Sequence, residues 1–286
     1  MIDDRFNDIY SKILKKKGKY NFVEIVESII NKLESHKNVT YKKNIKYTHI
    51  DYICGIIEVI SNNVSWRKYN GKINGRVLNN KHNYYSKIGV YEELYKINLN
   101  EYLKNNYEEK IKILSIDSTF IENKNGTKKL GRNIYYKNKR GRKITTIVDT
   151  KGVPIILDIS EGNHHDCKLF NSAFDKLKKN KSCKRKSYKG KSKKYFLADK
   201  GYDSEKIRIE VRKTEYIPII PKRKTKQMKR SLTKSETKIY KKRIIVENTF
   251  SWIKRYPKID RIYEKSISSY EGLLMVAASL IIFKKI

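Results

Sequence analysis

The chain has 286 residues, 66 of them Lys or Arg against 30 Asp or Glu, and so carries a formal net charge of +36 at pH 7. That excess is far beyond what solubility needs and points to a polyanionic partner, nucleic acid ahead of an anionic membrane. The longest apolar run, Gly272 to Phe283, is too short to span a bilayer, the N-terminus has no apolar signal core, and the basic segments read as loops rather than amphipathic helices with a large apolar face, so no membrane partner is expected. Hydrophobic residues make up 38%, but they cluster, and a packed core remains possible.

Residues 20 to 35 place Phe22, Ile25, Val26, Ile29, Ile30 and Leu33 at helical spacing. A second apolar helix covers 49 to 60, and Asn62, Asn63 and Ser65 break it before Trp66, Arg67 and Lys68. A basic helix follows from Arg76 to Lys87, closed by Gly89, and Tyr91 to Tyr107 reads as another. Helix, short turn and basic helix are compatible with a helix-turn-helix DNA-binding domain over residues 1–108, with Arg76 and Lys81 as candidate DNA contacts.

From residue 109 the pattern changes. Ile111, Ile113, Leu114 and Ile116 predict a strand ending in Asp117, Ser118 and Thr119. A loop with nine Lys/Arg between Lys124 and Lys143 leads to strands at Ile144–Val148 and Pro154–Ile159, joined at Gly152. Asp166 to Lys179 is a predicted helix. Lys178 to Lys194 carries ten Lys/Arg in seventeen residues, as a loop or a phosphate-facing arm. A short strand from Tyr195 to Ala198 ends at Asp199, a helix opens at Ser204, and Tyr216 to Ile220 is the fifth strand, closed by Pro221. Three hairpin-linked strands followed by alternating helix and strand predict an α/β domain over residues 109–286, a mixed five-stranded sheet with flanking helices. Strands one and four can lie side by side in such a sheet. Asp117 and Asp199 would then meet at strand ends, where open α/β sheets bind ligands.

Residues 240 to 254 predict the helix on which the rest of this reading turns. Thr233 and Glu236 have capping-box spacing ahead of it, and Pro257 marks its end. At 100° per residue, Tyr240, Arg243, Glu247 and Lys254 fall on one stripe about 60° wide. Phe250, Trp252, Ile253 and Val246 fall mostly opposite, and Ile244 is the exception. A stripe of this kind is often a solvated face. A single acid among cations also suits a metal ligand beside phosphate-binding groups. Two strand-end aspartates and a helical glutamate can converge on a pair of Mg²⁺ ions, and two such ions can drive an in-line displacement with no side-chain nucleophile.

These residues resemble the DDE transposases of bacterial insertion sequences, in their related groups four and five. Tyr240, Arg243, Glu247 and Lys254 match the Tyr-x2-Arg-x3-Glu-x6-Lys helix motif. Ser115-Ile116-Asp117-Ser118-Thr119 and Leu197-Ala198-Asp199-Lys200-Gly201-Tyr202-Asp203 match the segments of the first two acids. Gly162-Asn163-His164-His165-Asp166 is similar to a Gly-x-x-His-Asp segment, and Ser65-Trp66-Arg67 to a short Trp-Arg segment. The resemblance covers residues 45 to 285; residues 1 to 44 have no counterpart, and the basic loops are unusually Lys-rich. It implies a ribonuclease H-like fold, with Asp117, Asp199 and Glu247 as catalytic metal ligands for Mg²⁺ or Mn²⁺. It also implies DNA contacts by Tyr240, Arg243, Lys254, Trp66 and Arg67, and support of the site rim by His165 and Asp166. The expected partners are double-stranded DNA, as terminal inverted repeats and target, and a second copy in the DNA complex.

Blander readings stand beside these. A strand-end Asp is commonly a turn or cap residue, Asp166 and Asp203 are expected to cap helices, and Trp252 and Phe250 to be core. A plain Mg-dependent nuclease, or a domesticated DNA-binding protein, would share the fold; retention of all three acids counts against the second. Cys54, Cys167 and Cys183 form no zinc-type pair or disulfide framework, which suggests a reducing compartment: cytoplasm or nucleoid in a bacterium, nucleus or replication compartment otherwise.

Overall fold

The computed structural model describes residues 22–35, 46–104, 107–125, 130–180, 193–223 and 232–286. Most of the basic arm expected at Lys178–Lys194, part of the linker before the Tyr240 helix, and Cys183 lie outside these residues. In chain order the elements are helices α1 (Phe22–Ser35), α2 (His49–Ser61), α3 (Gly75–Ile88), α4 (Val90–Lys104) and α5 (Tyr107–Lys110), then strands β1 (Ile113–Asn123), β2 (Gly131–Asn133), β3 (Lys139–Val148) and β4 (Pro154–Glu161). These are followed by α6 (Asp166–Lys179), β5 (Lys194–Leu197), α7 (Glu205–Arg212), β6 (Tyr216–Ile219), α8 (Lys234–Tyr240), α9 (Ile244–Lys254), α10 (Pro257–Asp260), β7 (Arg261–Ile262) and α11 (Ile267–Phe283). None of the described helices is long and apolar enough to cross a membrane.

The described residues form two compact units that are discontinuous in sequence. The helical unit takes the residues up to Asn98, Asn125, and Lys254–Lys284; the sheet unit takes Leu99–Lys124, the residues from Leu130 to Ile253, and Lys285–Ile286.

In the helical unit α2 begins at a capping box, in which Thr48 and Asp51 satisfy each other's backbone N–H groups. Its residues Tyr52 to Ile57, Val59 and Ile60 are buried. α3 ends at Gly89, which adopts the left-handed conformation (φ 90°) that a side chain would strain, and this one residue joins α3 to α4. The link from α2 to α3 runs from Asn62 to Asn74, instead of the short turn that the sequence suggested. It carries Trp66 into the unit. The Trp66 ring stacks on His82 (centroids 5.4 Å apart), and its Nε1 donates to Glu264 (3.1 Å). His82 is fully buried; its ring nitrogens contact the Tyr91 hydroxyl (3.1 Å) and the Ser269 hydroxyl (2.9 Å), and Ser269 in turn donates to Glu264. α11 is buried on nearly every side, as its continuous apolar sequence requires.

The main sheet follows the order β4–β3–β1–β5–β6. β1–β3 and β3–β4 pair antiparallel, whereas β1–β5 and β5–β6 pair parallel. This is the mixed sheet expected from the sequence, a ribonuclease H-like arrangement, extended beyond the five predicted strands by β2, which pairs antiparallel with β3. Phe170 and Phe174 of α6 stack at 4.7 Å, and Phe196 of β5 meets both edge-on, so helix and sheet share one aromatic core. The β3–β4 turn is locked by the buried Asp149, which accepts from Lys151 N, Val153 N and the Tyr102 hydroxyl. β1 runs on through Asp117 to Asn123 rather than stopping there, and β3 begins at Lys139. Much of the segment expected as a basic loop between Lys124 and Lys143 is therefore a β-hairpin, made possible by Gly141. Any side chain at Gly141 would collide with the Ile121 carbonyl and the Phe120 ring.

Burial lowers the pKa of His82 from its ordinary value near 6.5 to about 4, against the pull of Glu264. The folded chain thus holds His82 neutral, while the unfolded chain takes up a proton below about pH 6.5. Stability linked to His82 is present above pH 6.5 and lost as the pH falls towards 4. Urea unfolding at pH 7.0 and 5.0 is expected to show a lower midpoint at pH 5.0, and His82→Gln should flatten that dependence. An unchanged slope in the variant would remove His82 as its source.

Candidate active site

β5 sets the position of Asp199 relative to Asp117. Their strands pair in parallel with Ser115 opposite Leu197, so Asp117 and Asp199 each lie two residues beyond the same rung. Asp117 is within a strand, with Thr146 of β3 opposite it, while Asp199 follows the end of β5. Asp199 also caps the 3-10 turn Lys200–Tyr202, accepting from Lys200 N (2.6 Å).

The capping box between Thr233 and Glu236 forms as its spacing predicted and starts α8. α8 and α9 are joined by a 3-10 turn over Lys241–Arg243, so the predicted single helix is two helical pieces with a tighter turn between them. α9 is fixed from its inner side. Val246, Phe250 and Ile253 are buried, and the Thr249 hydroxyl donates to Gly152 O (2.9 Å). Ile244 is exposed, as its place on the polar side of the stripe implied.

The outer side of this segment brings Arg243 to the acids. Its Nη1 donates to Asp117 Oδ2 (2.8 Å) and its Nη2 to Glu247 Oε1 (2.7 Å). One planar guanidinium thus spans a strand carboxylate and a helix carboxylate, the fork geometry that arginine supplies. Tyr240 packs near Ile113, Leu197 and Ile219, with the Arg243 guanidinium carbon 5.9 Å from its ring centre. Burial pushes the Asp117 carboxyl above its ordinary pKa, and the Asp199 charge adds to the effect, while Arg243 and the Ser118 N–H pull the other way. Burial works against the charge on Arg243, but Asp117, Tyr240 and Asp199 outweigh it and hold its pKa above the ordinary value.

A second layer stands behind Asp117. Ser118 N donates to Asp117 Oδ1 (2.8 Å), and Ser118 Oγ donates to Asp166 Oδ1 (2.7 Å). Lys143 Nζ reaches the same Asp166 oxygen (2.8 Å), and the Tyr202 hydroxyl approaches Ser118 Oγ (3.3 Å). Asp166 is therefore not the cap of α6. His165 takes the N-cap position without a side-chain cap bond, and the Asp166 carboxylate turns to the sheet. Asp203 likewise does not cap α7; it accepts from Arg208 (2.7 Å) and from Arg223 N (2.7 Å), and Ser204 is the N-cap. Lys143 and Arg223 were not singled out in the sequence, because each lies in a run of cations with nothing to distinguish it.

In the helical unit the expected DNA contacts separate. Arg67 and Arg76 are exposed. Trp66 spends its N–H on Glu264, and with Arg67, Asn79, Asn83 and Lys258 it lines a cavity of about 620 Å³. Lys81 lies between 5.2 and 5.3 Å from the ring centres of Tyr52, Tyr84 and Tyr85, and burial lowers its pKa to about 8. Lys254 is the last residue of α9, and burial lowers its pKa in spite of Asp260.

Among the described residues no three His, Cys, Asp or Glu side chains already stand within reach of one ion. The donor set of Asp117, Asp199 and Glu247 is nonetheless all carboxylate oxygen, the kind that hard divalent cations take. A cationic group, Arg243, already bridges two of the three.

The family model described as Transposase DDE domain matches residues 108–282. A Brucella ovis protein named "Putative transposase for insertion sequence element IS6501" is 25% identical over 143 residues, 49% of this chain and 95% of that protein. With the family match spanning well over half of its length, the chain belongs to the DDE transposase family, of the insertion-sequence type.

Proposed function

We propose that this transposase binds the terminal inverted repeats of its element, cuts DNA with Mg²⁺ held by Asp117, Asp199 and Glu247, and joins the freed 3′ ends to target DNA. The observation that carries this reading is the Arg243 fork between Asp117 and Glu247, with Asp199 just past the end of β5, two residues beyond the rung that Asp117 also follows by two. A place where carboxylates from a strand and a helix already share one cation is a place whose field suits cations. When bound, Mg²⁺, or Mn²⁺ in its stead, supplies an activated water or hydroxyl and neutralises the leaving oxygen.

The chain's own residues do the rest. Ser118, Asp166 and Lys143 hold Asp117 in place through linked hydrogen bonds, and His165 starts the helix that carries Asp166. Arg243 suits phosphate oxygens as well as it suits carboxylates, so it can meet the DNA strand beside the acids. Tyr240 steadies the Arg243 guanidinium. Lys254 lies about 10 Å along the helix from Glu247, which suits a neighbouring phosphate rather than the same ion. The helical segment within residues 1–108 reads the element ends, through Trp66, Arg67, Arg76 and Lys81. Two copies act on the paired ends, in the cytoplasm or nucleoid of a bacterial host.

Asp117→Asn, Asp199→Asn and Glu247→Gln are each expected to lower Mg²⁺-dependent nicking of element-end DNA by about 100-fold or more, while gel-shift affinity stays near wild type. Near-normal nicking by any of the three would remove that residue from the ligand set. Strand transfer with pre-cut ends separates a transposase from a nuclease of the same fold.

Lys254→Ala is expected to behave differently. It should weaken binding, lower activity only in part, and reduce the slope of log K against log salt by about 0.9, the loss of one phosphate contact. Unchanged affinity and slope would make Lys254 an ordinary helix-end cation.

A further inference from the structure

The β2–β3 hairpin ends in a 3-10 turn, Ile134–Tyr136, that the active-site chemistry does not use. Ile134 is 83% exposed and Tyr135 84%, and the next most exposed large hydrophobic side chain among the described residues is Ile244 at 57%. This apolar tip is held firmly. Asn133, 5% exposed, donates to Gly162 O (2.9 Å) and accepts from Tyr135 N (3.0 Å). Tyr136 stacks on Phe120 at 4.7 Å, and Lys137 and Asn138 return the chain in the left-handed conformation (φ 53° and 56°). The tip is also strongly basic. Arg132, Lys137, Lys139 and Arg140 are exposed around it, and the acid paired with Lys139, Glu122, also pairs with Lys124.

The sheet register gives its direction. Glu122 lies opposite Gly141, and the β2–β3 ladder continues from there to Asn133 opposite Lys139. From Asp117 that is five residues to Glu122 and two more to the end of the ladder, about 24 Å at ~3.4 Å per residue. A duplex running along this direction rises by a similar distance in roughly seven base pairs.

We infer that the Ile134–Tyr135 tip is a wedge for DNA, inserting between base steps about seven base pairs from the point of cleavage, with Arg132, Lys137, Lys139 and Arg140 on the flanking phosphates. This rests on the DNA-cutting reading above. Exposed apolar side chains ringed by cations suit a partner that is anionic outside and apolar between its stacked bases. The wedge unstacks a step, so DNA that is already unstacked is a better ligand.

The test compares a 30-base-pair duplex with the same duplex carrying a central two-base mismatch, bound to the full chain in EDTA at one salt concentration. Wild type is expected to prefer the mismatched duplex by roughly tenfold. Ile134→Ser with Tyr135→Ser should reduce that preference to near unity while intact duplex is bound within about threefold of wild type. Arg132→Ala with Arg140→Ala should weaken both duplexes alike and lower the salt slope. Binding without mismatch preference in wild type would overturn the wedge and leave the DNA reading standing, whereas failure to bind either duplex would overturn the DNA reading itself. If the Ile134, Tyr135 variant keeps the preference but changes from dimer to monomer in light scattering, the tip covers a second copy and the wedge is wrong.

Discussion

The arrangement of the site depends on the contact of one guanidinium with two carboxylates. Asp117 is buried enough for its charge to be disfavoured, and Asp199 adds a second charge of the same sign. Without a cation among them these acids would repel one another and the α9 segment that carries Glu247. Arg243 answers both, and its planar fork fixes the angle at which the helix meets the central strand β1. Thr249 and the buried Val246, Phe250 and Ile253 anchor the opposite side of the same helix. Helix orientation is thus set by packing on one side and by charge on the other.

Much of this was legible in the sequence, because the relevant signals are local. The capping box at Thr233, the i,i+4 spacing of Arg243 and Glu247, and the apolar runs of β1 and β5 each depend on a few neighbouring residues. The hairpin pattern and the alternation that followed pointed to a mixed sheet with its first and fourth predicted strands side by side, as β1 and β5 are. What was missed depends on distant partners. Asp166 looked like a helix cap, since a cap is the common role for an Asp before an apolar run, yet its carboxylate is drawn off by Ser118 and Lys143. β1 looked finished by Thr119 because the residues that follow, Phe120 to Glu122, pair with Lys143 to Gly141, the end of β3 that lies in a run of cations. The N–H bond of Trp66 to Glu264, almost two hundred residues away, likewise has no trace in local spacing.

The helical unit shows how a very basic chain can still build a dense interior. Its polar core is a short relay of Trp66, His82, Ser269 and Glu264, in which burial keeps the imidazole neutral and every polar atom of the His82 ring is engaged. Cations are largely left on the outside, or, like Lys81, laid against tyrosine rings.

The burial of α11 in that unit has a consequence for synthesis. α11 begins at Ile267, more than 150 residues after α4 ends at Lys104, so the helical unit lacks a central part of its core until the whole sheet unit has been translated. At about 5–20 residues per second that wait is roughly 10–30 s on the ribosome. During it the apolar faces of α2 and α3 stay open to chaperones, and a chain cut short before Ile267 never closes them.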